Sequence, residues 1–189
     1  MSKKNSITTC DFIDYDKALN TGIRLMKDCR TELIGLYIIV AINTGLRVSD
    51  MRTLTFGQIK SGEIQLKEQK TNKTRTIKVN QAILDAVSKS TIKNPFGDVP
   101  LFISQKNQVI TIQQINRLLK DVFSSLLPTH CISTHSLRKT FGRRVYEMNN
   151  RSEDSLIKLS EIFNHSSMKL TRIYLGIKQE ELNNIYMSL

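Results

Sequence analysis

Cations, imidazoles and one phenol gather in three short stretches of this chain: Thr44-Gly45-Leu46-Arg47, Thr134-His135-Ser136-Leu137-Arg138, and His165 followed by Tyr174. Two of the three histidines fall inside them. Cleaving a phosphodiester without metal needs a nucleophile, positive donors for the two non-bridging oxygens and an acid for the leaving oxygen, and Arg, His, Tyr and Lys meet those needs. Guanidinium suits the donor role because its planar fork reaches oxygens bidentately and keeps its charge near neutral pH. A donor aimed at developing charge is typically worth about 3–4 kcal/mol of barrier. Arg47 and Arg138 are the candidates. His135 and Arg138 stand three apart at the start of an expected helix, so they share a face and can address one phosphate, and a helix N-terminus favours anions. A lone His-x-x-Arg is also common on the solvated face of a basic protein, so this pair decides nothing alone.

On one continuous helix His165 and Tyr174 would be separated by about 180° and could not meet. Ser166-Ser167 offers a break, since Ser is a favoured N-cap and a short new helix can begin there, turning Tyr174 back toward His165. The competing reading makes Tyr174 and Tyr186 core tyrosines of amphipathic helices.

The elements that must carry these residues follow from periodicity. Ala18, Leu19, Ile23 and Met26 recur at helical spacing from Tyr15 onward, and a second helix runs from about Glu32 to Asn43, ending at Thr44-Gly45 with Gly at its C-terminal position. Its run Leu33 to Ile42 is about half the length needed to cross a bilayer, so it predicts a buried core helix. Ile64 and Leu66, then Ile77 and Val79, alternate with polar residues around the run Lys67 to Lys73, which predicts a hairpin with a basic tip. Gln81 to Ile92 reads as an amphipathic helix, and Asn94-Pro95-Phe96-Gly97-Asp98 as a break. Ile115 to Leu126, Leu137 to Met148, Leu156 to Phe163 and Leu182 to Leu189 mark further helices. The fold class expected is α+β, mainly α, with one small antiparallel sheet. The expected organisation is a polar lead-in over residues 1–13 and one domain over 14–189, with no separate amino-terminal domain expected.

Twenty-eight Lys and Arg against 17 Asp and Glu give a net charge of +11 among 189 residues. That balance points to nucleic acid as partner, and nothing favours a membrane. The polar start Met-Ser-Lys-Lys-Asn-Ser lacks an apolar secretory core, which makes the cytoplasm the expected compartment. Cys10, Cys29 and Cys131 are odd in number and widely spaced, suggesting neither a disulfide framework nor structural zinc. No metal or other cofactor is expected.

Assembled in order, these segments resemble the catalytic domain of the tyrosine recombinases, the phage-integrase and Xer-like family of site-specific DNA recombinases. Ala41 to Asp50 is similar to the family's first-arginine box, Gln69-Lys70-Thr71-Asn72-Lys73-Thr74-Arg75 to its catalytic-lysine turn, Thr134 to Phe141 to its His-x-x-Arg box, and Leu159 to Ser167 with Thr171 to Tyr174 to its final histidine and nucleophile box. The resemblance runs from about residue 14 to about 186. It implies Tyr174 as nucleophile, Arg47 and Arg138 as phosphate clamps, His135 in proton transfer, His165 as a further phosphate donor, Lys70 as general acid and Asp50 as support for Arg47. Lys67, Lys73 and Lys78 flank Lys70 and compete for its role. Lys73, Arg75, Lys139 and Arg143 are candidate contacts to the DNA backbone. Where the family commonly has Gly, this chain has Asn164, which tolerates left-handed backbone better than other non-Gly residues.

The implied activity is cutting and rejoining of double-stranded DNA through a 3′-phosphotyrosyl link, by a homotetramer on paired sites, in a cytoplasmic, nucleoid-associated enzyme encoded by a bacterium, phage or mobile element. The rivals are a type IB topoisomerase with the same chemistry and a non-catalytic DNA-binding accessory protein. Many members carry an additional amino-terminal helical domain for which this chain has no room, which suggests a compact member like the fimbrial inversion recombinases, or a fragment.

Overall fold

The helix α2 (Glu32–Thr44) is apolar on every side, and the molecule is built around it. Leu36, Ile38, Ile39, Val40 and Ile42 are each at most 1% exposed, as expected for a helix hydrophobic all round. The computed structural model describes residues 10–67, 74–92, 99–104 and 106–189, the last stretch without the side chains of 178–182. Among the described residues no helix is long and apolar enough to cross a membrane.

Before α2 comes α1 (Tyr15–Leu25), capped by the Asp14 carboxylate, which accepts from the Lys17 amide at 2.8 Å. After it come the single turn α3 (Val48–Met51), α4 (Phe56–Lys60), and the antiparallel strands β1 (Glu63–Lys67) and β2 (Thr74–Lys78). Their register pairs Glu63 with Lys78 and Lys67 with Thr74. Ile64 and Leu66 face the core, so the alternation read from the sequence sets the buried face. The hairpin tip, with Lys70 and Lys73, lies outside the described residues, as does the expected break at 94–98.

Four helices complete the body: α5 (Gln81–Lys89), α6 (Ile112–Phe123), α7 (Thr134–Met148) and α8 (Glu153–Phe163). The Thr111 hydroxyl begins α6 in a reciprocal capping box with Gln114, and Ser133 begins α7 in one with Ser136. Each box satisfies two amide donors that a helix start would otherwise leave open. Two short segments follow, α9 (Met168–Tyr174) and α10 (Ile177–Met187).

The interior divides in two. The larger core surrounds α2 and includes Phe102, Ile115, Phe123 and Leu137. The smaller joins Tyr146, Leu156, Leu159, Phe163, Leu175 and Ile177, with Tyr174 packed on its edge. Gly142 lets α7 approach this second core, because a β-carbon there would stand 2.7 Å from Leu175 Cδ2 and 2.9 Å from Phe163 Cε2.

Two expectations need correction. Met148, placed on the apolar stripe of α7, is 68% exposed because it ends the helix beyond the reach of the second core. The end of the polar lead-in is docked: Cys10 and Ile13 are 6% and 1% exposed. The Thr140 hydroxyl accepts from the Ile13 amide at 3.0 Å and donates to the Ile13 carbonyl at 2.8 Å, fastening this strap to α7.

Candidate active site

Three guanidinium groups meet at the carboxyl end of α8. Arg47 Nη2 donates to the Phe163 carbonyl at 2.8 Å, Arg138 Nη2 donates to the same oxygen at 3.2 Å, and Arg75 Nη1 donates to the Ile162 carbonyl at 2.7 Å. The last carbonyls of a helix carry partial negative charge and lack partners within the helix, so they gather cations as an anion would. Arg138 also donates to the Gly45 carbonyl and stacks over the Phe163 ring, 4.3 Å from its centroid.

Each arginine reaches this point from a different element. Gly45, at φ +60°, ends α2 in the left-handed region, and its amide caps the helix by donating to Ala41 O at 3.0 Å. The chain then turns into extended backbone at Arg47, the N-cap of α3. Asp50 is buried inside that turn, its amide donating to the Arg47 carbonyl at 3.0 Å. Arg138 is 6% exposed in α7, one turn after His135, which lies exposed at the start of the same helix. Arg75 enters from β2.

His165 and Tyr174 meet because the helix breaks between them. Asn164 caps α8 at φ 49°, in the left-handed region, and the Ser167 hydroxyl starts α9 by accepting from the Leu170 amide at 3.2 Å. The rings of His165 and Tyr174 then lie 5.2 Å apart, edge to face, and each stands about as far from the Phe163 ring, at 5.4 and 5.5 Å. His165 Nδ1 lies 3.0 Å from the Thr171 hydroxyl, a contact that orients the imidazole.

Tyr174 is half-buried overall, and its oxygen is buried beside the Arg138 guanidinium. Burial pushes the phenol well above its ordinary pKa. Arg138 and, more weakly, Arg47 pull it back, while Cys10 adds to the rise.

Lys70 and Lys73 lie outside the described residues. The two α7 residues read as DNA contacts are largely buried. Lys139 is 7% exposed and donates through Nζ to the Cys10 carbonyl at 2.7 Å, and Arg143 is 9% exposed with its guanidinium over the Phe12 ring at 4.4 Å. Both are covered by the strap at residues 10–13, which sequence periodicity does not connect to α7. Thr171 and Phe163 had no expected role in the site, although Thr171 lies one helical turn before the phenol, a spacing that could have flagged it.

A model of the phage integrase family matches residues 15–181. The probable integrase/recombinase YoeC of Bacillus subtilis (strain 168) is 31% identical over 150 residues, 78% of this chain and 80% of that protein. The tyrosine recombinase XerC of Caldanaerobacter subterraneus is 29% identical over 150 residues, 77% of this chain but 41% of the relative. Among solved structures, the XerA recombinase superposes with a TM-score of 0.67 at 17% identity, covering 96% of this chain and 66% of that one. The XerH recombinase bound to its difH substrate before cleavage also gives 0.67, at 19% identity, covering 93% and 53%. Both structural likenesses concern the fold.

Proposed function

The chain belongs to the phage integrase family, and on that premise we propose that it cuts and rejoins duplex DNA as a site-specific recombinase, with Tyr174 as the nucleophile. The Tyr174 oxygen attacks the scissile phosphorus, the bond to the 5′ oxygen breaks, and a 3′-phosphotyrosyl ester forms. A 5′-hydroxyl from a partner strand then attacks the ester and releases the phenol, so the energy of the first bond is kept for the second.

One observation carries this reading: Arg47 and Arg138 converge on a single acceptor, Phe163 O, in a cluster that also holds His165 and Tyr174. A phosphate arriving there replaces a neutral carbonyl with a charged acceptor, and charge-assisted bonds of this kind are roughly twice as strong. The arginines are thus held at their working end of the site before DNA arrives. In this scheme His165 is a further donor to the phosphate, His135 moves the phenol proton, Lys70 protonates the departing 5′ oxygen, and Asp50 supports Arg47.

The proposed partner is duplex DNA, in keeping with the net charge of +11. The proposed assembly is a tetramer on two duplexes, with α10 reaching a neighbour. Ile185, Tyr186 and Leu189, at 58%, 75% and 100% exposed, leave that tail apolar and uncovered.

A type IB topoisomerase would use the same chemistry to relax supercoils. A supercoiled plasmid carrying two copies of a sequence that the protein selects from random duplexes separates the two. Recombinant circles are the expected product, and relaxation without exchange would favour the topoisomerase reading.

A further inference from the structure

We propose that Lys139 is a positioning residue for the nucleophile, tying the Tyr174 ring to the amino-terminal strap through an ammonium held between that ring and the Cys10 carbonyl. The inference rests on the proposed role of Tyr174.

A lysine that is 7% exposed is costly unless its charge is met. Here Nζ donates to Cys10 O at 2.7 Å and lies over the Tyr174 ring, 5.3 Å from its centroid. The first contact belongs to a strap separated from α7 by more than half the chain. That strap is fixed independently of Lys139: the Asp11 amide donates to Cys131 O at 3.0 Å, the Cys131 amide donates to Asp11 Oδ2 at 2.8 Å, and Ile13 is fastened to Thr140. Lys139 is therefore a link from a docked backbone segment to the reacting ring. The neighbouring residue on the helix, Arg138, lies by contrast on the Phe163 ring and carbonyl. Consecutive residues of α7 thus address the phosphate end of the site and the nucleophile.

The link has a chemical consequence. A cation over an aromatic ring is attracted to its face, and the attraction grows when the phenol loses its proton, so Lys139 favours the phenolate. The other charged or titratable groups facing Tyr174 are Arg138 from α7, Arg47 from the start of α3, His165 from the turn between α8 and α9, and Cys10 from the strap. They are common to wild type and to a Lys139 variant, so a difference between the two reports Lys139.

The test measures single-turnover formation of the covalent protein–DNA adduct on a nicked duplex across pH, together with duplex affinity and thermal melting. Lys139→Met keeps the apolar stem and removes the charge. It is expected to slow adduct formation roughly tenfold or more, to displace to higher pH the limb on which the rate rises as the phenol loses its proton, and to leave affinity within about threefold, since Lys139 is covered by the strap. Lys139→Arg is expected to restore the profile in part. Thr140→Val unfastens Ile13 while leaving the Lys139 charge in place. It should slow the same step, and the double variant should be no slower than Lys139→Met alone, as coupled residues behave.

A Lys139→Met protein with the wild-type rate and pH profile overturns the inference, as do fully additive defects or a loss of rate matched by a loss of affinity. If wild type forms no adduct at all, the role of Tyr174 falls and this inference falls with it. A wild-type adduct that Lys139→Met forms equally well overturns this inference alone.

Discussion

Gly45 serves three neighbours at once. Its left-handed backbone ends α2, its carbonyl accepts from Arg138, and it has no β-carbon where one would stand 2.3 Å from Phe141 Cδ1. Gly45→Ala therefore pays for left-handed backbone, about 1–2 kcal/mol, and for overpacking, about 1–3 kcal/mol. A lower midpoint of urea unfolding with a slower cleavage rate is the expected result, and an unchanged midpoint would show that Phe141 simply moves aside. Lys70 is testable through its proposed proton. Lys70→Ala should slow cleavage of ordinary DNA far more than cleavage of a substrate with sulfur at the 5′-bridging position, because a thiolate leaves without needing an acid. Equal defects on both substrates would remove Lys70 from that role. At this scale the sequence was informative where chemistry and local conformation coincide, as at Asn164 and Ser167, whose types mark the break that brings His165 to Tyr174. It was uninformative for Lys139 and Arg143. A basic residue on a helix looks solvated until something distant covers it, and the bond from Lys139 to Cys10 spans 129 positions.

Among the elements, one carboxylate adds a polar latch between the start of α2 and the end of α5, which also share the larger apolar core. Glu32 is 2% exposed and accepts from the Ser90 hydroxyl at 2.7 Å and from both the amide and hydroxyl of Thr91. Burial raises its pKa, but the hydrogen bonds from Ser90 and Thr91 outweigh that and hold it below the ordinary value. With the folded pKa depressed, the stabilisation is present above the unfolded pKa of about 4.3 and is lost as pH falls through the lower folded value. Glu32→Gln should therefore cost about 1–3 kcal/mol near neutrality, and the gap in unfolding free energy from wild type should narrow in acid. A gap that stays constant down to pH 3 would show that the carboxylate charge is irrelevant to the latch. The exposed tail α10 offers a second test. Ile185→Ser with Tyr186→Ser should reduce recombination between paired sites more than binding to one site, as seen by comparing both assays on the full chain. Equal reductions would make the tail a general DNA-affinity element. The longer helices were legible because their apolar periods and caps agree, whereas the short α3 and α4 have too few turns to show a period. The fate of the tail stripe was not, because periodicity identifies an apolar face without naming what covers it.

At the scale of the whole molecule, the charge of +11 should make duplex affinity fall linearly with salt on logarithmic axes, by a slope of about 0.9 per phosphate neutralised. Affinity indifferent to salt would deny that the basic surface meets the DNA backbone. The mainly helical fold with one hairpin was readable in outline from spacing alone. The division into two cores was not, since it depends on where α8 and α9 fold back over α7 at Gly142. In the proposed reaction that division matters: Arg47 follows the end of α2 in the larger core, Tyr174 packs on the smaller, and both lie at the end of α8. The claim that this meeting point is a phosphoryl-transfer site with Tyr174 as its nucleophile is tested most directly by incubating the protein, in EDTA, with a nicked duplex that traps the cleaved state. The adduct is then resolved on a denaturing gel and the modified residue identified by mass spectrometry. A covalent adduct at Tyr174 is the expected result, formed without added metal and abolished by Tyr174→Phe while duplex affinity stays within about threefold. An adduct that persists in Tyr174→Phe, or cleavage that appears only when magnesium is restored, would contradict it.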